Sequence, residues 1–271
     1  MIKFSSIIFI FLINIIKTKK KLGQHFLKDK NIAKKIVDSL KLKNYNRVLE
    51  IGPGKGVLTD FILKKKINLD LVELDKECVN YLIEKYPEVK NKIINKDFLK
   101  LDLNKVFNND SFAIIGNFPY NISTQIIFKV IEYRDKIPYL TGMFQKEVAE
   151  RICHIPGSKK YGILSVLTQL YYKTKYLFSV NPSVFDPKPK VKSGIIELTR
   201  KKIFLLNCNE NLLFKIIKLS FQQRRKTLRN SLKILDIPFF LREDAIFDKR
   251  PEQLSGKEFV EITKKINNVN S

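Results

Sequence analysis

The sequence predicts an α/β fold followed by a small all-helical domain. Short apolar runs alternate with longer amphipathic stretches from about residue 30 to 200, a glycine-rich turn closes the first run, and beyond Arg200 the pattern is helical to the end. Asn31 to Leu42 places Ile32, Ile36, Val37 and Leu40 at helical spacing. Arg47–Ile51 then reads as a buried strand, with further strands at Leu69–Glu73, Lys92–Ile94 and Phe112–Ile115. Helical stretches at Val57–Leu63 and Lys76–Lys85 separate them, an alternation that predicts a parallel sheet with helices on both faces. Later come Leu140–Phe144, a helix over Lys146–Ile152, a helix over Ile163–Tyr172, Lys175–Val180, a proline-rich link from Asn181 to Pro189 and a closing strand at Gly194–Leu198. Three parts are expected: an apolar extension over residues 1–17, an α/β domain over 18–199 and a helical domain over 200–271.

With 271 residues, 44% of them hydrophobic, the chain can bury a proper core. Its formal net charge of +24 favours a polyanionic partner, either nucleic acid or an anionic membrane, although a composition rich in Lys, Ile and Asn accounts for part of it. Cys78, Cys153 and Cys208 are far apart, and His25 and His154 have no partner at ligand spacing. No metal site or disulfide framework is therefore expected, and a reducing compartment fits best. Met1 to Ile16 are almost wholly apolar and lysines follow at 17 and 19–21. The run is short for a membrane span and lacks a small-residue cleavage site. A weak signal, an organelle leader and a non-native start are open alternatives; the expectation is a dispensable extension on a cytoplasmic, monomeric protein without stable membrane association.

Two motifs carry chemistry. Glu50-Ile51-Gly52-Pro53-Gly54-Lys55-Gly56 follows the first strand and opens a helix, so a ligand can approach backbone N–H groups there. Its Gly-x-Gly-x-Gly spacing disfavours a dinucleotide site, and a purely structural loop is the alternative. Glu73 ends the second strand 21 residues after Gly52, where an acid can accept from two ribose hydroxyls. Asp97, with Phe98 beside it, closes the third strand at the position for an adenine amino group. Either acid alone could be a solvated loop residue; in this order the three strand ends suit an adenosyl ligand. The second motif is Gly116-Asn117-Phe118-Pro119-Tyr120 at the end of the fourth strand. An amino group conjugated to an aromatic base is a poor nucleophile and needs acceptors and a flat aromatic surface to orient it. An Asn oxygen, the carbonyl of Pro119 and a Tyr ring offer these, although Asn and Pro are also ordinary turn residues.

Together with Lys21–Leu27, Phe144–Arg151, Phe185–Ser193 and Phe221–Leu228, these motifs resemble the rRNA adenine N6-dimethyltransferases of the bacterial KsgA type, over a span from about Lys20 to the C-terminus. His25 stands where many members carry Asn, and Phe118 where Leu is common. The resemblance implies a Rossmann-like S-adenosylmethionine-dependent methyltransferase domain with a helical C-terminal domain. It implies dimethylation of two adjacent adenosines in a hairpin loop near the 3′ end of 16S rRNA, with a role in small-subunit biogenesis. S-adenosylmethionine would then bind through His25, Leu27, Gly52, Glu73, Asp97 and Asn117. Asn117 and the Pro119 carbonyl would accept from N6, Tyr120 would stack on one face of the base and Phe185 on the other, unless Phe185 merely packs in the core. His25 has a second reading as a cap for the helix near Asn31.

Arg224, Arg225, Lys226 and Arg229, on a basic helical stretch from Ser220 to Lys233, are the expected RNA contacts, with Lys17–Lys21 a second basic region. Such a stretch is otherwise a solvated face. The partner implied is small-subunit rRNA or the assembling 30S subunit. Rival readings are a large-subunit rRNA enzyme, a DNA adenine methyltransferase and a non-catalytic binding protein.

Overall fold

A computed structural model describes residues 18–19, 22–42, 45–108, 110–202 and 205–269; the apolar stretch 1–17 and Lys20 and Lys21 lie outside these. The strands are β1 (Phe26–Leu27), β2 (Arg47–Ile51), β3 (Asn68–Val72), β4 (Ile93–Ile94), β5 (Ala113–Asn117), β6 (Tyr139–Gln145), β7 (Tyr172–Val180), β8 (Phe185–Asp186) and β9 (Ser193–Arg200). Seven form one sheet in the order β4-β3-β2-β5-β6-β9-β7, and β1 pairs with β8. The first five run parallel, whereas β9 is antiparallel to β6, so the sheet is mixed and not wholly parallel as expected. Val48, Leu49, Ile114 and Ile115 are fully buried, as befits central parallel strands covered on both faces. From β2 the chain winds outward to β3 and β4, then returns to β5 on the other side of β2. That reversal leaves a crevice at the carboxyl ends of β2, β3 and β5.

Between the strands lie α1 (Lys30–Asp38), α2 (Thr59–Ile62), α3 (Lys76–Lys85), α4 (Leu103–Phe107) and α5 (Ser123–Glu132). Asp29 caps α1 by accepting from Asn31 N and Ile32 N, and Ala33, Ile36 and Val37 form its buried stripe. The helix stops at Asp38, short of the expected Leu42, because the Ser39 hydroxyl and N–H both turn back to the Ile36 carbonyl. Asp75 caps α3 by accepting from Glu77 N.

The chain divides into two compact units. One comprises residues up to Ala149 and Lys175–Thr199; the other comprises Glu150–Thr174 and Arg200 onward. The boundary expected at residue 200 is thus only half of it, because residues 150–174 join the helical unit. Their helix α7 (Ile163–Tyr171), which follows α6 (Lys146–Cys153), is apolar nearly all round and buries Leu164, Val166, Leu167, Leu170 and Tyr171. It packs against α8 (Glu210–Gln222) and α11 (Gly256–Val269), while α9 (Leu228–Ser231) and α10 (Phe239–Arg242) complete the unit. Tyr161, Phe221 and Phe259 stack within it at ring-centroid distances of 6.3 and 6.1 Å.

Phe118, where the resemblance leads one to expect Leu, is 1% exposed and lies on two glycines. A Cβ at Gly142 would stand 2.4 Å from the Phe118 ring and 2.6 Å from the Gly116 carbonyl. Gly142→Ala is therefore expected to destabilise the protein by about 1–3 kcal/mol through overpacking. Urea unfolding of the variant beside the wild type measures the loss.

Candidate active site

A cavity opens at the crevice, lined among others by Gly52, Glu73, Asp97, Phe98, Asn117 and Tyr120. The structure thus brings together most of the residues singled out from sequence. The glycine turn is shaped for close approach: Gly54 has φ of +56°, and a Cβ there would fall 2.7 Å from the Phe26 ring. Glu73 is 6% exposed, and its two oxygens accept from Gly54 N at 3.0 Å and Asp75 N at 2.9 Å. Burial raises its pKa against those backbone donors. A carboxylate has about four acceptor sites, so lone pairs remain for a pair of hydroxyls. One oxygen of Asp97 caps the following turn by accepting from Leu99 N at 2.9 Å, leaving the other for a donor in the cavity.

Asn117 ends β5, and its Nδ2 donates to the His25 carbonyl at 2.8 Å. A carbonyl only accepts, so this bond fixes the amide's orientation and leaves Oδ1 as the atom available to a ligand. The Pro119 carbonyl accepts from Ile122 N at 3.2 Å and keeps a second lone pair. Tyr120 is half-buried, its hydroxyl 2.6 Å from Ser193 Oγ and its carbonyl accepting from Ser123 Oγ. His25 Nδ1 donates to the Pro187 carbonyl at 2.8 Å, and its ring lies 5.4 Å from that of Tyr120. It lines the cavity and does not cap α1, a role taken by Asp29.

Two expected positions differ. Phe185 is 2% exposed, pairs with Leu27 across β8 and β1, and belongs to the core; it does not line this cavity. In this structure Phe185 therefore does not stand opposite Tyr120 on the wall of the cavity. The Leu27 side chain is likewise core, and it borders a smaller neighbouring cavity beside Glu50 and Gly52.

Three contributors have roles that the sequence did not assign. The first is a strap formed by Lys19 and residues 22–27. Lys19 Nζ pairs with Asp75 at 2.6 Å and Glu77 at 3.0 Å, Gln24 Nε2 donates to Asp75 at 2.9 Å, and Gln24 Oε1 accepts from Lys19 N. Burial acts upward on Asp75, but bonds from Lys19 and Gln24 outweigh it and hold the carboxyl below its usual range. The second is Glu50, 1% exposed, which accepts from Thr59 Oγ1 at 2.7 Å and is pushed up to about 8 by burial. The third is Lys129, 8% exposed, whose Nζ donates to the Leu99 carbonyl at 2.9 Å and to that of Leu101. It also sits 5.4 Å from the Phe98 ring centre and so fastens the turn that carries Asp97. Only the order of elements around it, not any motif, could have marked it.

In the helical unit the basic stretch is not one helix. It breaks after Gln222, and Arg224, Arg225 and Lys226 lie in the turn before α9. Arg224 donates to the Ser158 carbonyl and lies 3.8 Å from Glu252, and Arg229 pairs with Glu243 and Asp248, both at 2.9 Å. Two of the four expected RNA contacts are thus engaged within the unit. Among the described residues no group of acids, cysteines and histidines is arranged to hold a metal ion, and no helix is long and apolar enough to cross a membrane.

Strand order, glycine turn, strand-end acids and the Asn-Phe-Pro-Tyr corner together define a Rossmann-like methyltransferase domain. The chain belongs to the ribosomal RNA adenine dimethylase family, whose model matches residues 15–244. It is 61% identical over 251 residues to the ribosomal RNA small subunit methyltransferase A of Flavobacterium johnsoniae, covering 93% of this chain and 96% of that one. It is 54% identical over 253 residues to the protein of that name from Phocaeicola vulgatus, covering 93% and 90%. A crystal structure of a dimethyladenosine transferase from Plasmodium falciparum superposes with a TM-score of 0.79 at 27% identity, covering 91% of this chain and 98% of that one. The 23S rRNA methyltransferase ErmE, at 22% identity and a TM-score of 0.69 over 89% and 99%, shares the fold.

Two outcomes are expected. The folded state holds a proton on Glu50 that the unfolded chain, with a carboxyl near 4.5, has released, so stability falls as pH rises from about 5 to about 8. Urea midpoints across that range should fall less for Glu50→Gln than for the wild type. Lys129→Met strands two carbonyls, a loss of about 1–3 kcal/mol each when buried. It should raise the KM for S-adenosylmethionine severalfold with kcat retained, and Lys129→Arg should restore part of the loss.

Proposed function

We propose that this chain uses S-adenosylmethionine to dimethylate N6 of two adjacent adenosines in a hairpin loop near the 3′ end of small-subunit rRNA, and so takes part in small-subunit biogenesis. The observation that carries the reading is the Asn117 amide, whose orientation leaves Oδ1 as an acceptor in the cavity that also holds Glu73 and Asp97. The family and the relatives' names support the class of substrate.

The cavity residues fit the cofactor. Glu73 has lone pairs for the ribose hydroxyls, Asp97 for the adenine amino group, the Gly52–Gly54 backbone allows close approach, and Phe98 offers an apolar face. When bound, S-adenosylmethionine supplies an electrophilic methyl group on a sulfonium centre. The protein's part is orientation. Asn117 Oδ1 and the free lone pair of the Pro119 carbonyl accept the two N6 hydrogens and draw electron density back onto the nitrogen. Tyr120, held by Ser193, stacks on the base, a contact that contributes about 1–3 kcal/mol and helps offset extrusion from the RNA. Formation of the N6–carbon bond would go with cleavage of the methyl–sulfur bond, whose electron pair would stay on sulfur as a neutral thioether, and it leaves one surplus proton on nitrogen. That nitrogen is then acidic enough to give the proton to water, so no side chain has to serve as base. A second round on the same nitrogen gives the dimethyl product.

Arg225 and Lys226, exposed on the turn before α9, supply phosphate contacts that position the RNA without reading its sequence. A monomer acting in the cytoplasm on rRNA or the assembling 30S subunit fits this role.

Nucleoside analysis of unmethylated small subunits incubated with the protein should reveal dimethyladenosine. With Tyr120→Ala its formation should slow by about 10- to 100-fold, from the stacking energy, with cofactor affinity unchanged. Normal rates in that variant would remove Tyr120 from the mechanism.

A further inference from the structure

The segment between β8 and β9 reads Pro187-Lys188-Pro189-Lys190-Val191-Lys192, and its three lysines are all exposed. Among the described residues none of the three has an ion-pair partner, in contrast to Arg224 and Arg229. The segment is fastened to the cavity at both ends. At one end the Pro187 carbonyl accepts from His25 Nδ1 at 2.8 Å. At the other, Ser193 Oγ lies 2.6 Å from the Tyr120 hydroxyl, and the Lys192 carbonyl accepts from Lys146 N at 2.9 Å. Buried Pro189 seats the middle. Three uncompensated cations are thereby held beside the two rings, His25 and Tyr120, that line the cavity.

We propose that Lys188, Lys190 and Lys192 form a phosphate-binding rim that grips the RNA backbone on either side of the target adenosine. The inference rests on the reading of the cavity as a base pocket. A base turned into that pocket carries its own phosphate and its neighbours' to the mouth. Cations there compensate the charge so gathered and release counterions as the strand seats. They carry no base information; their effect is to raise the occupancy of the pocket. Because the anchors are His25 and Tyr120, phosphate binding at the rim and base orientation in the pocket act on the same loop.

The test uses the full chain with Lys188, Lys190 and Lys192 all changed to Gln. A second triple changes them to Arg, and a control triple changes Lys64, Lys66 and Lys105, which precede strands and so lie toward the opposite edge of the sheet. Affinity for unmethylated small-subunit rRNA is measured across a salt series, with cofactor affinity by calorimetry and methyl incorporation in parallel. The Gln triple should lose about tenfold or more in RNA affinity, and its log–log salt slope should shrink by about 2, near 0.7 per single-strand phosphate contact. The Arg triple should bind as the wild type does, and cofactor affinity should be the same in all. An unchanged slope, or an equal loss in the control triple, would overturn the rim. So would a Gln triple that loses only its binding to phosphatidylserine vesicles. If the rim lysines govern RNA affinity yet the wild type places no methyl group in small-subunit rRNA, the rim stands and the proposed reaction falls. If methylation proceeds and the Gln triple binds normally, the reverse holds.

Discussion

The buried carboxylate of Glu73 is the fastening on which the cofactor side of the molecule depends. Its oxygens accept from Gly54 N and Asp75 N, so one side chain joins the turn after β2 to the end of β3. Asp75 carries the connection onward, since its side chain holds Lys19 and Gln24 of the strap and caps α3. Phe26, at the far end of that strap, lies on Gly54 where a Cβ would collide. A carboxylate in such a place costs desolvation, and the backbone donors offset part of that cost. Hydroxyl donors from a ligand would add to the compensation, which makes the site better satisfied when filled.

The Asn117–Tyr120 corner is organised by the same strap. The His25 carbonyl accepts from the Asn117 amide and so dictates which of its atoms faces the cavity, while the His25 ring joins the Pro187 carbonyl. A histidine at this position therefore does by backbone what another residue type could also do, and its ring adds a tie to the β8–β9 loop. Ser193 fastens that loop to Tyr120. The strand-end acids and the groups proposed to orient the base thus share one frame.

Much of this was legible in the sequence because it is local. α3 begins and ends where its spacing and its Asp75 cap place it, and the glycine turn and both strand-end acids lie where a parallel sheet with its reversal at β2 and β5 must put them. What was not legible depends on distant partners. The antiparallel β9 is set by its pairing with β6, some fifty residues upstream, which only the sheet order makes visible. Phe185 reads from sequence as a stacking ring, with core packing as the alternative, and the pairing of β8 with β1 places it in the core in this structure. The basic stretch after Ser220 has helical spacing, yet the helix breaks at Gln222, and Arg229 turns to acids 14 and 19 residues on. Lys129 has no motif at all; it matters because α5 passes behind the turn that bears Asp97.

Calorimetric binding of S-adenosylhomocysteine to the wild type and to Glu73→Gln bears most directly on the claim that this carboxylate anchors an adenosyl ligand. One molecule should bind per chain. The substitution should weaken binding by about 10- to 100-fold, the worth of a hydrogen bond to a charged group at about 1.5–3 kcal/mol, with the fold retained. Equal affinities for a folded Glu73→Gln and the wild type would contradict the account.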